Sequence, residues 1–327
     1  MSSVHSLLIT GGTGTFGNAV AGRIATNGFG EIRIFSRDEK KQDDMRRRWA
    51  DPRIKFYLGD VRNEQSLKDA MAGVDCVFHA AALKQVPSCE YFPSQAVRTN
   101  VLGAETIARV ISKHQLPIQC VVGISTDKAC KPVNVMGMTK ALQERIFVQA
   151  NIENPRTRFV VARYGNVLAS RGSVIPLFLD QADRGGPLTL TDPEMTRFLM
   201  TLDEAVEAVY AALDVALRGE IVVPLIAAAR MADVAQAVIA GRPIEIVETG
   251  PRPGEKTHEI LVSEEEAHRT VERGGYLVIK PMLPELISAT DDPPFTGAEF
   301  SSADQVLDAA AVQRLLADNQ LVPVPAA

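Results

Sequence analysis

The sequence predicts an α/β fold, a doubly wound parallel sheet with a smaller C-terminal region. Short apolar runs alternate with helix-period segments through the first half of the chain. A glycine-rich turn, Gly11-Gly12-Thr13-Gly14-Thr15-Phe16-Gly17, joins the first run to the first such segment. After Asn166 the rhythm breaks, and Pro176, Gly185-Gly186-Pro187 and Asp192-Pro193 punctuate shorter pieces. Strands and helices that alternate over short loops require right-handed crossovers, which put helices on both faces of a parallel sheet.

Five runs predict the first strands: Leu7-Leu8-Ile9, Ile32-Arg33-Ile34-Phe35, Phe56-Tyr57-Leu58, Cys76-Val77-Phe78 and Cys120-Val121-Val122-Gly123-Ile124. Segments 16–27, 39–49, 64–71 and 94–113 predict the helices between them. A helix over 137–151 sets Lys140 one turn beyond Met136, because residues four apart share a helix face. It leads into a strand over 159–163, and 203–218 predicts one further long helix. The core then covers residues 1–166, and a substrate-binding region interleaved with the last core strands covers 167–290. From 291 to 327 Pro, Ser, Asp and Ala dominate and only 306–319 has a helical pattern, predicting a loosely packed tail that ends in disorder.

With 46% hydrophobic and 23% charged residues, a chain of 327 residues can bury a large core. Its formal charge of −5, without a long basic run, argues against a nucleic-acid partner and for a small ligand. Cys76, Cys89, Cys120 and Cys130 have no metal-ligand spacing and read as reduced packing residues, so no metal is expected. The first strand begins too early for a signal segment and no apolar run reaches about 18 residues, so a cytoplasmic protein without a membrane partner is expected.

Gly11, Gly14 and Gly17 directly follow the first strand and open the first helix, the context in which such spacing marks a dinucleotide-binding Rossmann turn. Thr13, Thr15 and Phe16 share that turn. The second strand ends in Ser36-Arg37-Asp38, with Lys41 one turn on. A guanidinium there suits the 2′-phosphate of NADP, while Asp38 leaves NAD open. Asp60 and Val61 are placed to meet the adenine, and Ala80-Ala81-Ala82 offers small residues where the chain passes close to the cofactor. Ser125-Thr126-Asp127-Lys128 follows the fifth strand, at the crevice where ligands bind such sheets, and offers a hydrogen bond, a general acid and a general base.

Further motifs join these: Ala81-Ala82-Leu83-Lys84-Gln85-Val86-Pro87, Arg98-Thr99-Asn100-Val101, Gly137-Met138-Thr139-Lys140, Arg163-Tyr164-Gly165-Asn166-Val167, Arg171-Gly172-Ser173-Val174-Ile175-Pro176, Met195-Thr196-Arg197-Phe198 and Arg252-Pro253-Gly254-Glu255-Lys256. Together they resemble the extended short-chain dehydrogenase/reductases, and within these the UDP-N-acetylglucosamine 4,6-dehydratases, over about residues 5–270. Met136 stands where the superfamily's Tyr-x-x-x-Lys has its tyrosine, a feature of the branch that inverts C5 and supplies capsule or O-antigen sugars.

The resemblance implies oxidation at C4, loss of water across C5 and C6, and return of hydride to C6, with no net redox change. Lys128 would be the C5 base, provided Lys140 and partial burial keep it neutral, and a protonated Asp127 would donate to O6. Lys140 would hold the nicotinamide ribose, with Asn100 propping it through water, and Thr126 would bond the substrate O4. With no phenol at Met136, the O4 proton would go to Asp127 or to Thr126 through water. Tyr164, Asn166 and Val167 would line nicotinamide and sugar, with Val174 at the substrate. Arg197, Arg252 and Glu255 would take the UDP end, and Lys84 the sugar or phosphates. A homo-oligomer, hexameric by the same resemblance, is implied.

The match weakens in the apolar stretch 221–230, where a lysine-bearing strand is expected, at His258, where an aromatic is usual, and after Ser288. Competing readings are a C5 epimerase or 5,6-dehydratase, a non-catalytic NADP-binding regulator, and a simple reductase, the last disfavoured by the missing proton donor at Met136.

Overall fold

A computed structural model describes residues 5–26, 28–168, 170, 173–250 and 252–322. Six parallel strands form its centre: β1 (Ser6–Thr10), β2 (Glu31–Ser36), β3 (Ile54–Leu58), β4 (Cys76–His79), β5 (Cys120–Thr126) and β6 (Arg158–Tyr164). They lie in the order β3-β2-β1-β4-β5-β6, so the chain reverses direction between β1 and β4 and opens a crevice there. Every residue of β1 and β4 is buried, which is why these strands read as continuous apolar runs rather than as alternation.

Ile221–Pro224 extends the sheet in parallel beside β6, and Tyr276–Ile279 and Thr270–Arg273 complete its nine strands in antiparallel register. The apolar stretch that departs from the family pattern is thus an interior strand, buried at all four residues. It then turns to Ala228–Arg230, which pairs with Thr196–Met200.

Helices Glu39–Trp49 and Glu64–Met71 have the expected bounds, each started by an Asx cap: Asp38 accepts from Lys41 N (2.9 Å) and Asn63 from Ser66 N (2.9 Å). The first helix is shorter than expected, Thr15–Gly22. Its last glycine packs against Trp49, where a Cβ would lie 2.5 Å from the ring. Asn27, the expected end of that helix, lies outside the described residues. Segment 94–113 divides into Pro93–Ala96, a π-helical turn Val97–Val101 and Leu102–His114. The wide turn carries Asn100 to Leu83, whose backbone N–H and C=O it bonds at 2.8 and 3.0 Å.

The expected tail is corrected by its packing. Phe300–Ser301 pairs with Ile260–Val262, and Ala309–Asp318 forms a helix capped by Asp308. Val312 and Leu316, four apart and fully buried, meet Val234 and Val238 of helix Met231–Ile239 in a second apolar core that includes Val174–Asp183. The helix falls within the expected 306–319 pattern; what differs from expectation is that it is packed rather than loose. The final residues 323–327, where disorder is expected, lie outside the described residues. All four cysteines are free and buried, and among the described residues no helix is long and apolar enough to cross a membrane.

Candidate active site

The C-terminal ends of β1, β2, β4, β5 and β6 border a cleft of about 2130 Å³. Single small-ligand pockets span roughly 300–1,000 Å³, so this cleft has room for a dinucleotide and a second ligand. Gly11, Thr13, Gly14, Thr15 and Phe16 line it, as do Ser36, Arg37, Lys41, Asp60, Val61, Ala80, Ala81, Ala82 and Lys84. Gly17 faces inward instead, where a Cβ would come 2.0 Å from Gly12 O. Gly11 has φ +67° and a Cβ there would lie 2.8 Å from Ala81 Cα, so the loop and the end of β4 approach as only glycine permits. Gly14 caps the first helix without a side-chain bond, leaving backbone N–H groups for an anion.

These contacts predict that Gly11→Ala destabilises the fold by roughly 1–3 kcal/mol and loses dinucleotide binding. A thermal melt and a dinucleotide titration check it; unchanged affinity would show that the loop does not cradle the phosphates.

At the end of β2, Asp38 is engaged as a helix cap and pairs with Lys41 at 2.6 Å. The bonds from Lys41 hold the Asp38 carboxyl below its usual range. Asp60 is gripped by Arg62 at 2.5 Å and approached by Arg37 at 3.4 Å. Burial opposes ionisation there, but Arg62 outweighs it and keeps the carboxyl low. The carboxylate expected to meet adenine is therefore bound by arginine in this structure.

Thr126 ends β5 and donates to Asp127 Oδ1 at 2.8 Å. Asp127 is fully buried, and burial pushes its carboxyl above the usual range, with Lys128 opposing and Glu259 adding to the rise. Its Oδ2 is buried without a hydrogen-bond partner. Lys128 Nζ lies 3.1 Å from Asp127 Oδ1, 3.1 Å from Glu259 Oε1 and 3.5 Å from Asn166 Oδ1. Burial works against its charge, yet the Asp127 and Glu259 carboxylates raise it above the normal lysine value. The expectation of a Lys128 kept neutral by Lys140 is thus corrected: its surroundings hold the ammonium.

Glu259 was not among the expected site residues. It sits 131 positions from Lys128 on an irregular segment, and its one local signal is Lys256, three residues earlier and 3.3 Å away.

Lys140, on helix Val135–Glu153, lines the same cleft and donates to Ile124 O and to Gln143 Oε1 (2.7 Å). Burial pulls it down to about 7, with Glu144 opposing weakly. Met136 starts one turn earlier, lines the cleft and packs on Cys89 and Ala96. Asn100 spends its amide on Leu83 and on Thr139 Oγ1 (3.0 Å), so it steadies the loop after β4 and the helix of Lys140 together.

Tyr164, Asn166, Val167, Val174, Arg197, Arg252 and Glu255 all line the cleft. Arg197 is buried, bonds the Thr196 and Thr257 carbonyls, and stands close enough to Lys128 and Glu259 to lower both. Its charge is therefore felt at the Lys128 end of the cleft. Arg252 and Glu255 sit on a loop tied to the start of the Lys140 helix by Asn134 Nδ2, which donates to Gly254 O at 2.7 Å. His258 bonds Thr196 Oγ1 at 2.8 Å, a structural contact that accounts for its departure from an aromatic. Arg171 and Gly172 lie outside the described residues.

Beneath the site, Ser125 donates to Glu144 at 2.5 Å, and Arg163 lies between Glu144 and Glu266, 2.7 Å from each. All three ionic side chains are buried. Among the described residues no cluster of His, Cys, Asp and Glu could hold a metal ion.

Residues 7–281 match the family described as polysaccharide biosynthesis protein. The UDP-glucose 4-epimerase of Rickettsia bellii (strain RML369-C) is 50% identical over 279 residues, 83% of this chain and 81% of that protein. Pen from Bacillus thuringiensis superposes with a TM-score of 0.90 at 31% identity, covering 98% of this chain and 99% of that one. DesIV, a dTDP-glucose 4,6-dehydratase from Streptomyces venezuelae solved with NAD and TYD bound, shares the fold with a TM-score of 0.69 at 20% identity, over 77% and 86% of the two chains. The chain belongs to the polysaccharide biosynthesis protein family, as an extended short-chain dehydrogenase/reductase enzyme that modifies nucleotide sugars.

Proposed function

We propose that the protein is an NADP-dependent UDP-N-acetylglucosamine 4,6-dehydratase that inverts C5. The observation that carries this reading is the buried Asp127, with one oxygen unpartnered, hydrogen-bonded through the other to Lys128. Loss of water needs an acid at O6 and a base at C5 within reach of one another. The cradle at Gly11, closed by Ala81, fits a dinucleotide pyrophosphate. When bound, the dinucleotide supplies reversible hydride acceptance from C4, which makes the C5 hydrogen acidic.

The chain's own residues do the remainder. In the resting pair the proton lies on Lys128; its transfer to Asp127 across 3.1 Å produces acid and base together, without any change in total charge. Neutral Lys128 then takes the C5 proton and Asp127 releases its own to the departing O6. Glu259 steadies the lysine in both states. Lys128 works on one face of C5; a proton delivered to the other face, with the C4 hydride that the dinucleotide would return to C6, would complete a redox-neutral reaction with inversion. Arg197, Arg252 and Glu255 lie along the cleft as the side chains to hold a diphosphate and ribose.

Half-exposed Arg37 supports the choice of NADP, since its guanidinium is available to a 2′-phosphate. Arg37→Ala is expected to weaken NADP binding about tenfold, the worth of a charge-assisted bond, and to leave NAD nearly unchanged. Equal losses for both would remove Arg37 from cofactor choice.

The Rickettsia relatives favour a second reading, a UDP-glucose 4-epimerase. Epimerisation at C4 has no use for an acid at O6. Mass spectrometry of each UDP-sugar incubated in deuterated water separates the two. A product lighter by one water with deuterium at C5 supports the dehydratase; an isomer of unchanged mass supports the epimerase.

A further inference from the structure

Met136 leaves the position one turn before Lys140 without a phenol, and the structure narrows what replaces it. Lys128 is held as an ammonium by Asp127 and Glu259, and Glu259 as a carboxylate by Lys128 and Lys256. Thr126 has committed its proton to Asp127. In the resting pair Asp127 has its negative charge committed to the Lys128 ammonium, and burial pushes the Tyr164 phenol away from ionisation. None of these groups is a ready proton acceptor for a sugar hydroxyl.

Lys140 differs from all of them. It lines the cleft, and it hydrogen-bonds two uncharged acceptors, Ile124 O and Gln143 Oε1. An ammonium has three hydrogens to place, whereas a neutral amine has two and a lone pair. Two acceptors satisfy the amine completely and leave the lone pair over. We infer that Lys140 is the catalytic base that takes the substrate O4 proton, in place of the absent phenol. This deepens the dehydratase reading and rests on it for the substrate.

The surroundings agree. On its own helix Glu144 is turned to Ser125 and Arg163, and bonds them instead of Lys140. From β4 the facing group is His79, fully buried, its Nδ1 bonded to Thr10 Oγ1 at 2.8 Å. Burial and the nearby Lys140 push that imidazole down to about 3, so it is neutral and lends Lys140 no counter-charge. Burial then brings Lys140 down to about 7, against the opposing charge of Glu144. In the step itself the O4–H bond breaks and its proton goes to the Lys140 lone pair. The C4–H bond breaks with it, C4 becomes a carbonyl, and the hydride passes to a nicotinamide dinucleotide, the oxidant.

Two measurements test this. Carbon-13 NMR of lysine-labelled protein without substrate should show one side chain with a midpoint near 7 that is missing in Lys140→Ala. A Lys140 still charged above about pH 9 overturns the assignment. In the holoenzyme given UDP-N-acetylglucosamine or UDP-glucose, C4 oxidation is read as dinucleotide reduction. It should fall about 10²–10⁴-fold in Lys140→Ala and in the better-packed Lys140→Met. Added primary amines should restore it in the alanine variant, following the amine's own basicity. Oxidation at the parent rate, or a loss that tracks dinucleotide affinity and no amine restores, overturns the proposal. Because C4 oxidation precedes water loss, oxidation without dehydration fails the dehydratase reading while this assignment stands.

Discussion

Lys128→Ala is expected to abolish water loss, by about 10²–10⁴-fold or more, while dinucleotide affinity stays close to that of the parent protein. The lysine touches Asp127, Glu259 and Asn166 and no part of the glycine turn. Asp127 remains buried in the variant and, without the cation beside it, holds its proton more firmly. The acid therefore survives and the base is gone. Substrate recovered from deuterated water should carry no deuterium at C5. Turnover at the parent rate would mean that another group removes that proton and that the pair has been misread.

Arg163→Ala should be the most destabilising single change considered, at about 3–5 kcal/mol, because it leaves two buried carboxylates facing each other. Arg163 is 2% exposed and bonds Glu144, Glu266 and Leu261 O. For a chain of this size the loss corresponds to on the order of 10 °C in Tm. Adding Glu144→Gln and Glu266→Gln should recover part of it; no recovery would place the damage in packing rather than charge. Burial opposes ionisation of Glu266, but Arg163 lowers it from 4.5 to about 2. A depressed carboxyl stabilises the fold fully above the unfolded value and loses that contribution as pH falls through the folded one. Acid titration should thus weaken the protein between about 4.5 and 2, and Glu266→Gln should flatten that limb.

The sheet was legible because β1, β4 and β5 are covered on both faces and show it as unbroken apolar runs. The glycine turn was legible because its constraints are local: each Cβ clash lies within a loop or with the next strand over. Charge states were not. Lys128 reads as a base from its neighbours in sequence, but the second carboxylate that helps Asp127 hold its proton arrives from position 259. Asn100 likewise looks like a mid-helix residue until the wide turn at Val97–Val101 swings it to Leu83. In the tail the helical pattern over 306–319 was legible, but its docking was not, because the partners of Val312 and Leu316 lie on the distant helix Met231–Ile239.

The long span between Lys128 and Glu259 has a consequence for biosynthesis. A chain made from its N-terminus completes the glycine turn, β4 and the Lys140 helix while more than a third of it is still to be translated. The nascent protein can fold a dinucleotide cradle early, yet Lys128 meets its second carboxylate only when the segment around position 259 emerges and docks. On the proposed dehydratase reading, an unfinished chain would therefore present the glycine turn before Lys128 has both of its carboxylate partners.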